Sequence, residues 1–78
     1  MANGTFSYPD ADGNTQRIVD PSDYHDYNIT IGVGDIDNAT DSTANMYTQH
    51  NSSGRVDSIY PGGRKYSDAV YLCCRFTS

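Results

Sequence analysis

The sequence predicts an all-β protein: a small antiparallel sheet, sandwich or open barrel of about five or six short strands. Three observations carry this. Residues that favour helices are scarce, because all ten acidic residues are aspartate, glutamate is missing and Leu72 is the only leucine. Apolar residues recur with period two in several short runs, the spacing that turns one face of a strand toward a core. Clusters of Gly, Pro, Asn, Asp and Ser punctuate the chain at short intervals and supply the backbone conformations that reversals need.

Residues 5–8 are a short aromatic run closed by Pro9, and Asp10-Ala11-Asp12-Gly13-Asn14 follows as the strongest turn signal of the chain. An Asp-Gly pair favours a type I′ turn. Residues 15–19 are therefore expected to return as a second strand, making a hairpin with Pro9 at an edge or bulge. Pro21 ends that unit, and residues 21–26 read as a surface turn or single helical turn. Residues 27–33 alternate apolar and small polar side chains, predicting a half-buried strand with Tyr27, Ile29, Ile31 and Val33 facing the core. Gly32 and Gly34 would permit close approach of another backbone or a ligand, or mark a bulge. Residues 35–42 are acidic and polar and read as a loop. A strand over 44–50 with Met46 and Thr48 inward comes next, a short helical turn being the alternative. Residues 51–54 form a turn, and 55–60 a strand closed by Pro61-Gly62-Gly63. The last strand, 69–76, is expected to bury Val70, Leu72, Cys74 and Phe76 and to leave Tyr71, Cys73 and Arg75 on the opposite face.

At 78 residues the chain makes one domain, 1–78. A domain this small buries only roughly 60% of the surface its unfolded chain exposes, so its stability is marginal. Leu, Ile, Val and Phe total 12 of 78 residues, so tyrosine, present seven times, has to serve as core filler as well as interface side chain. The net charge of −5 excludes direct nucleic-acid binding, which requires a basic footprint. Arg55, Arg64, Lys65 and Arg75 lie in the last third and only Arg17 before them. That asymmetry could orient head-to-tail contacts or be scattered solvated charge. No apolar run approaches the length of a membrane span, and no n-region and h-region precede Phe6, so an exported protein would be read here in its mature form.

Asn3, Asn28, Asn38 and Asn51 each begin an Asn-x-Ser/Thr tripeptide, and six asparagines with 15 Ser or Thr in 78 residues predict roughly one by chance. They are candidate glycosylation sites, although a Thr- and Asn-rich β protein also generates such tripeptides by composition. Asp10, Asp12 and Asn14, and again Asp35, Asp37 and Asp41, supply the hard oxygen ligands that Ca²⁺ prefers. The first group is not an EF-hand, because Gly13 stands fourth in the run and no glutamate closes the loop. Asp37-Asn38-Ala39-Thr40-Asp41-Ser42 resembles in part the calcium signature of the βγ-crystallins, with Asp41 where that signature has Ser or Thr, and the resemblance implies calcium binding. Turns stabilised by aspartate side chains without metal are the alternative.

Cys73 and Cys74 are adjacent, so strand geometry points them to opposite faces and a disulfide between them would need a strained local turn. They are either two thiols or the source of an interchain disulfide. His25 and His50 are too far apart in sequence to imply a zinc site. No nucleophile elbow, phosphate loop or dinucleotide fingerprint occurs, and no catalytic residues are assigned. The expectation is a non-enzymatic structural or interaction subunit without a cofactor other than calcium. It would self-associate through strand edges and surface tyrosines as a homo-oligomer, filament, or virion- or cell-surface assembly, with an extracellular or virion location favoured. An acidic inhibitor or nucleic-acid-mimic decoy for a basic protein, and a calcium-stabilised extracellular module, are the alternatives.

Overall fold

Eight strands form within residues 3–77, which the computed structural model describes: β1 Gly4–Pro9, β2 Thr15–Val19, β3 Asp26–Tyr27, β4 Gly34–Thr40, β5 Thr43–Gln49, β6 Ser53–Ile59, β7 Arg64–Ser67 and β8 Cys73–Thr77. They make two antiparallel four-stranded sheets, ordered β2-β1-β4-β7 and β3-β8-β5-β6. The all-β expectation holds, with more strands than the sequence pattern counted. No helix among the described residues is long and apolar enough to cross a membrane.

The core between the sheets is built from aromatic and sulfur-bearing side chains in place of leucine. Phe6 on β1 meets Phe76 on β8 edge to face, with ring centroids 5.2 Å apart, and Tyr27 packs edge-on against Phe76 at 5.9 Å. Tyr8, Ile31, Ile36, Ala44, Met46, Ile59, Tyr71 and Cys74 share this interior, while Leu72 is only half-buried. Fully burying an Ile, Met or Phe side chain is worth roughly 1.5–3 kcal/mol each, so this short set supplies most of the apolar driving force.

The β1–β2 hairpin forms in the expected place, but its turn is not type I′. The Gly13 amide donates to the Asp10 carbonyl at 3.1 Å, the Asp10 amide donates to the Asn14 carbonyl at 2.8 Å, and in this loop only Gly13 has positive φ. That is a three-residue loop with glycine in the left-handed position. The expected strand over 27–33 is corrected: only Tyr27 belongs to a strand, and Val33 is half exposed. This segment crosses between the sheets. Its Ile31 exchanges backbone hydrogen bonds with Tyr71, and the Gly32 amide then donates to the Pro9 carbonyl at 2.7 Å. Gly32 is the point of close backbone approach the sequence foresaw, since a Cβ there would fall 2.3 Å from the Asp10 carbonyl oxygen.

The acidic run expected as a loop is instead β4, an interior strand paired with both β1 and β7. Ile36, Asn38 and Thr40 point inward and are buried, and Ala39 and Asp35 point outward. Two of the three inward residues are polar, which hid the alternation. Asn38 survives complete burial by hydrogen bonding: its Nδ2 donates to the carbonyls of Ser42 at 2.8 Å and Ile59 at 2.9 Å, and its Oδ1 accepts from the Thr40 hydroxyl at 2.6 Å.

The last strand is corrected as well. β8 begins only at Cys73, and the bend before it turns Tyr71 inward, 1% exposed, and leaves Val70 half exposed. Cys74 and Phe76 are buried as expected. In β5, Met46 is buried and Thr48 half-buried.

Candidate interaction surface

The two sheets end in four edges: β2 and β7 on one, β3 and β6 on the other. β3 is two residues long. β6 is the longest edge, with seven residues of which only Ile59 is buried. Its start is irregular because the pairing with β5 shifts register between Tyr47 and Gln49. Gly54, at φ +80°, lies so close to Thr48 that a Cβ would sit 2.4 Å from its hydroxyl, and the Arg55 amide donates to the same hydroxyl at 3.0 Å. Beyond this bulge Val56, Asp57, Ser58 and Ile59 pair regularly with β5.

The direction of the β6 backbone follows from its neighbour. The Tyr47 carbonyl accepts from the Leu72 amide at 2.8 Å, on the β8 side of β5. Tyr47 therefore turns its main chain away from β6, and its cross-strand partner Val56 is in a non-hydrogen-bonded pair. By strand alternation the N–H and C=O of Val56 and of Ser58 point out of the sheet edge.

The side chains along β6 are held from behind. The Ser58 hydroxyl donates to Asn45 Oδ1 at 2.7 Å on the outer face, and the Arg55 guanidinium lies 3.2 Å from the Asp57 carboxylate. The Tyr71 hydroxyl donates to the same carboxylate at 2.5 Å. That hydrogen bond, helped by the positive charges of Arg55 and Lys65, outweighs desolvation and holds the Asp57 carboxyl below its ordinary pKa. The Tyr71 hydroxyl is pushed up by burial first and by Asp57 second. Just after this strand Tyr60 is 75% exposed, and on β7 of the other sheet Tyr66 is 67% exposed. Between β4 and β7 lies an open depression of about 330 Å³ lined by Asp35, Ile36, Asp37, Arg64, Lys65 and Tyr66. Arg64 reaches Asp37 across it at 3.5 Å.

The candidate calcium ligands serve turns and strands. Asp10 Oδ1 accepts from the amides of Asp12 and Asn14, both at 2.9 Å, and its Oδ2 accepts from the Gln16 side chain at 3.0 Å. Asp41 Oδ1 accepts from the Asn3 amide at 2.8 Å. Asp35 and Asp37 stand on β4 opposite Tyr66 and Arg64. Among the described residues no three His, Cys or Asp side chains gather so as to hold a metal ion. In the hexapeptide with the crystallin-like spacing, Asn38, Thr40 and Ser42 are buried and hydrogen-bond one another.

Of the sequon asparagines, Asn3, Asn28 and Asn51 are exposed, whereas Asn38 is 0% exposed and inaccessible to a glycosyl donor in the folded chain. Asn28 and Asn51 bond each other, Nδ2 to Oδ1 at 3.2 Å. Both cysteines are unbridged and fully buried, Cys74 in the core and Cys73 on the opposite face near the Ser52 hydroxyl at 3.9 Å. The expectation of an outward Cys73 is thereby corrected: the turn carrying Ser52 lies over it, and Ser52 is itself fixed by donating to Asp26 at 2.5 Å. In the fold neither thiol is placed to reach another chain. The His25 ring packs edge-on against Tyr27 at 4.7 Å.

Sequence reasoning placed a strand at 55–60 but missed that it is an edge and that Arg55 and Asp57 flank Val56 symmetrically. The Arg-Val-Asp order was the available signal. Compared with known protein families, curated proteins and solved structures, the chain shows no significant match.

Proposed function

We propose that this protein is a non-enzymatic structural or interaction subunit that self-associates through its strand edges and surface tyrosines. The observation that carries the reading is β6, a seven-residue edge whose outward backbone groups lie beside exposed Val56 and, just past the end of the strand, exposed Tyr60. A strand edge with free backbone groups is a template for pairing with another chain, and beyond the bulge at Gly54 residues Val56 to Ile59 keep regular strand geometry. A body this small, with a core this short of aliphatic side chains and no disulfide, gains stability from any added partner surface. Support for the acidic-decoy alternative is reduced because Arg55, Arg64 and Arg75 each lie against an aspartate and interrupt the negative surface.

Sedimentation velocity from micromolar to millimolar protein, with and without reductant, tests the reading. The mean mass is expected to rise with concentration and to be the same under both conditions, since the thiols are buried. A monomer at millimolar concentration would sink it.

A further inference from the structure

We infer that the primary contact is a two-fold antiparallel pairing of β6 with β6 of a second copy, centred on Val56. This rests on the self-association proposed above and names the surface and its occupant. The argument begins with the outward N–H and C=O of Val56, which in such a pair exchange two hydrogen bonds with Val56 of the second copy. In the same register Arg55 falls opposite Asp57 of the second copy, and Asp57 opposite its Arg55. These are non-hydrogen-bonded positions, where facing side chains are closest. Both opposed pairs are therefore attractive, and the two-fold axis makes one favourable pairing into two.

Charge selects this edge over the others. β2 carries Arg17 and β7 carries Arg64 and Lys65, with no acidic residue on either, so pairing each with itself brings like charges together. β6 alone among the longer edges holds one charge of each sign, placed symmetrically about its centre. Asp57 is already fixed by the Tyr71 hydroxyl, while Arg55, with its side chain 74% exposed, can swing from its own Asp57 to that of the second copy. The product is one continuous eight-stranded sheet with Val56 and Tyr47 of each copy in a row on its outer face. The contact closes on itself at two copies, unlike a head-to-tail array.

The experiment compares wild type, Arg55→Asp and Val56→Pro by sedimentation equilibrium, with circular dichroism and thermal melting to establish that each variant is folded. Arg55→Asp sets two carboxylates opposite one another twice and is expected to weaken dimerisation by roughly tenfold or more. Val56→Pro removes an N–H that no strand of the chain uses, and is expected to leave a folded monomer. If wild type self-associates and both folded variants do so equally well, or if wild type grows without limit instead of stopping at a dimer, the β6 register is wrong and the broader reading survives. A wild type that stays monomeric overturns both. Should Val56→Pro fail to fold, Arg55→Asp decides alone, because its side chain is exposed and its loss leaves the fold intact.

Discussion

The Tyr71 hydroxyl donates to the Asp57 carboxylate at 2.5 Å, joining a residue buried between the sheets to the middle of an exposed edge strand. The tyrosine ring fills space that a leucine-rich core would fill with aliphatic carbon, and its hydroxyl reaches the one charged group on β6 that needs a fixed position. Tyr71→Phe is expected to keep the packing and lose the hydrogen bond. Because Asp57 retains some solvent, the cost is about 1 kcal/mol, below the value for a fully buried charged bond. Urea denaturation measures it, and an unchanged midpoint would show that the hydroxyl contributes nothing.

Asn38 is the residue on which β4 depends. Asn38→Ala leaves the Ser42 and Ile59 carbonyls without their side-chain donor and the Thr40 hydroxyl without its acceptor. A loss of about 3 kcal/mol is expected, a large share of the roughly 5 kcal/mol at the low end for small domains. Asn38→Asp keeps the shape but points a carboxylate at carbonyl oxygens, so it should be worse at neutral pH and recover partly on acidification. Thermal melts of the two variants at two pH values check this.

The buried thiols should not react in the native state. Burial, with a smaller contribution from neighbouring Cys73, drives the Cys74 thiol far above its ordinary pKa, away from the reactive thiolate. Labelling is expected only in denaturant, where both cysteines react. A disulfide-linked dimer formed from native protein would contradict the packing around Cys73.

Stability should fall at both ends of the pH scale. Asp57, Asp26, Asp10 and Asp41 all titrate below 3.8 in the fold, through hydrogen bonds led by the Tyr71 hydroxyl, the Ser52 hydroxyl, the Gln16 amide and the Asn3 backbone N–H respectively. For such groups the stabilisation is complete above the unfolded value and is lost as pH falls through the lowered folded values. The melting midpoint should be level from pH 7 to about 5 and drop below about 4. Cys74 and Tyr71 are raised chiefly by burial, from 9.0 and 10.0 respectively. Their contribution is present below those values and is lost as pH rises past them. Asp57→Asn should flatten the acid limb, and an acid limb identical to wild type would remove Asp57 from the account.

What the sequence disclosed and what it concealed divide along a physical line. Turns were legible, because Asp10 to Asn14 and Pro61-Gly62-Gly63 demand backbone conformations that few residues adopt. Strands with apolar inward faces were legible too, as at Met46, Cys74 and Phe76. β4 was not, because its inward Asn38 and Thr40 satisfy each other and the neighbouring carbonyls, a property of the assembled fold that no apolar count detects. The reverse error fell at Ile29, Ile31 and Val33, where period-two spacing belongs to a segment crossing between sheets. At the interaction surface the tyrosines and the charges were visible. Which strand would be left at an edge was not, since that depends on sheet order.

The Val56 amide tests the central claim most directly. Its hydrogen exchange and chemical shift should be followed by NMR from about 20 μM to about 2 mM, an interval wide enough for the small interface a single strand pair makes. The account predicts an amide that exchanges rapidly in dilute solution and gains protection with concentration, in step with its shift and with the Ser58 amide. An amide that exchanges equally fast across the whole interval, in a protein whose β5 and β8 amides stay protected, would contradict it.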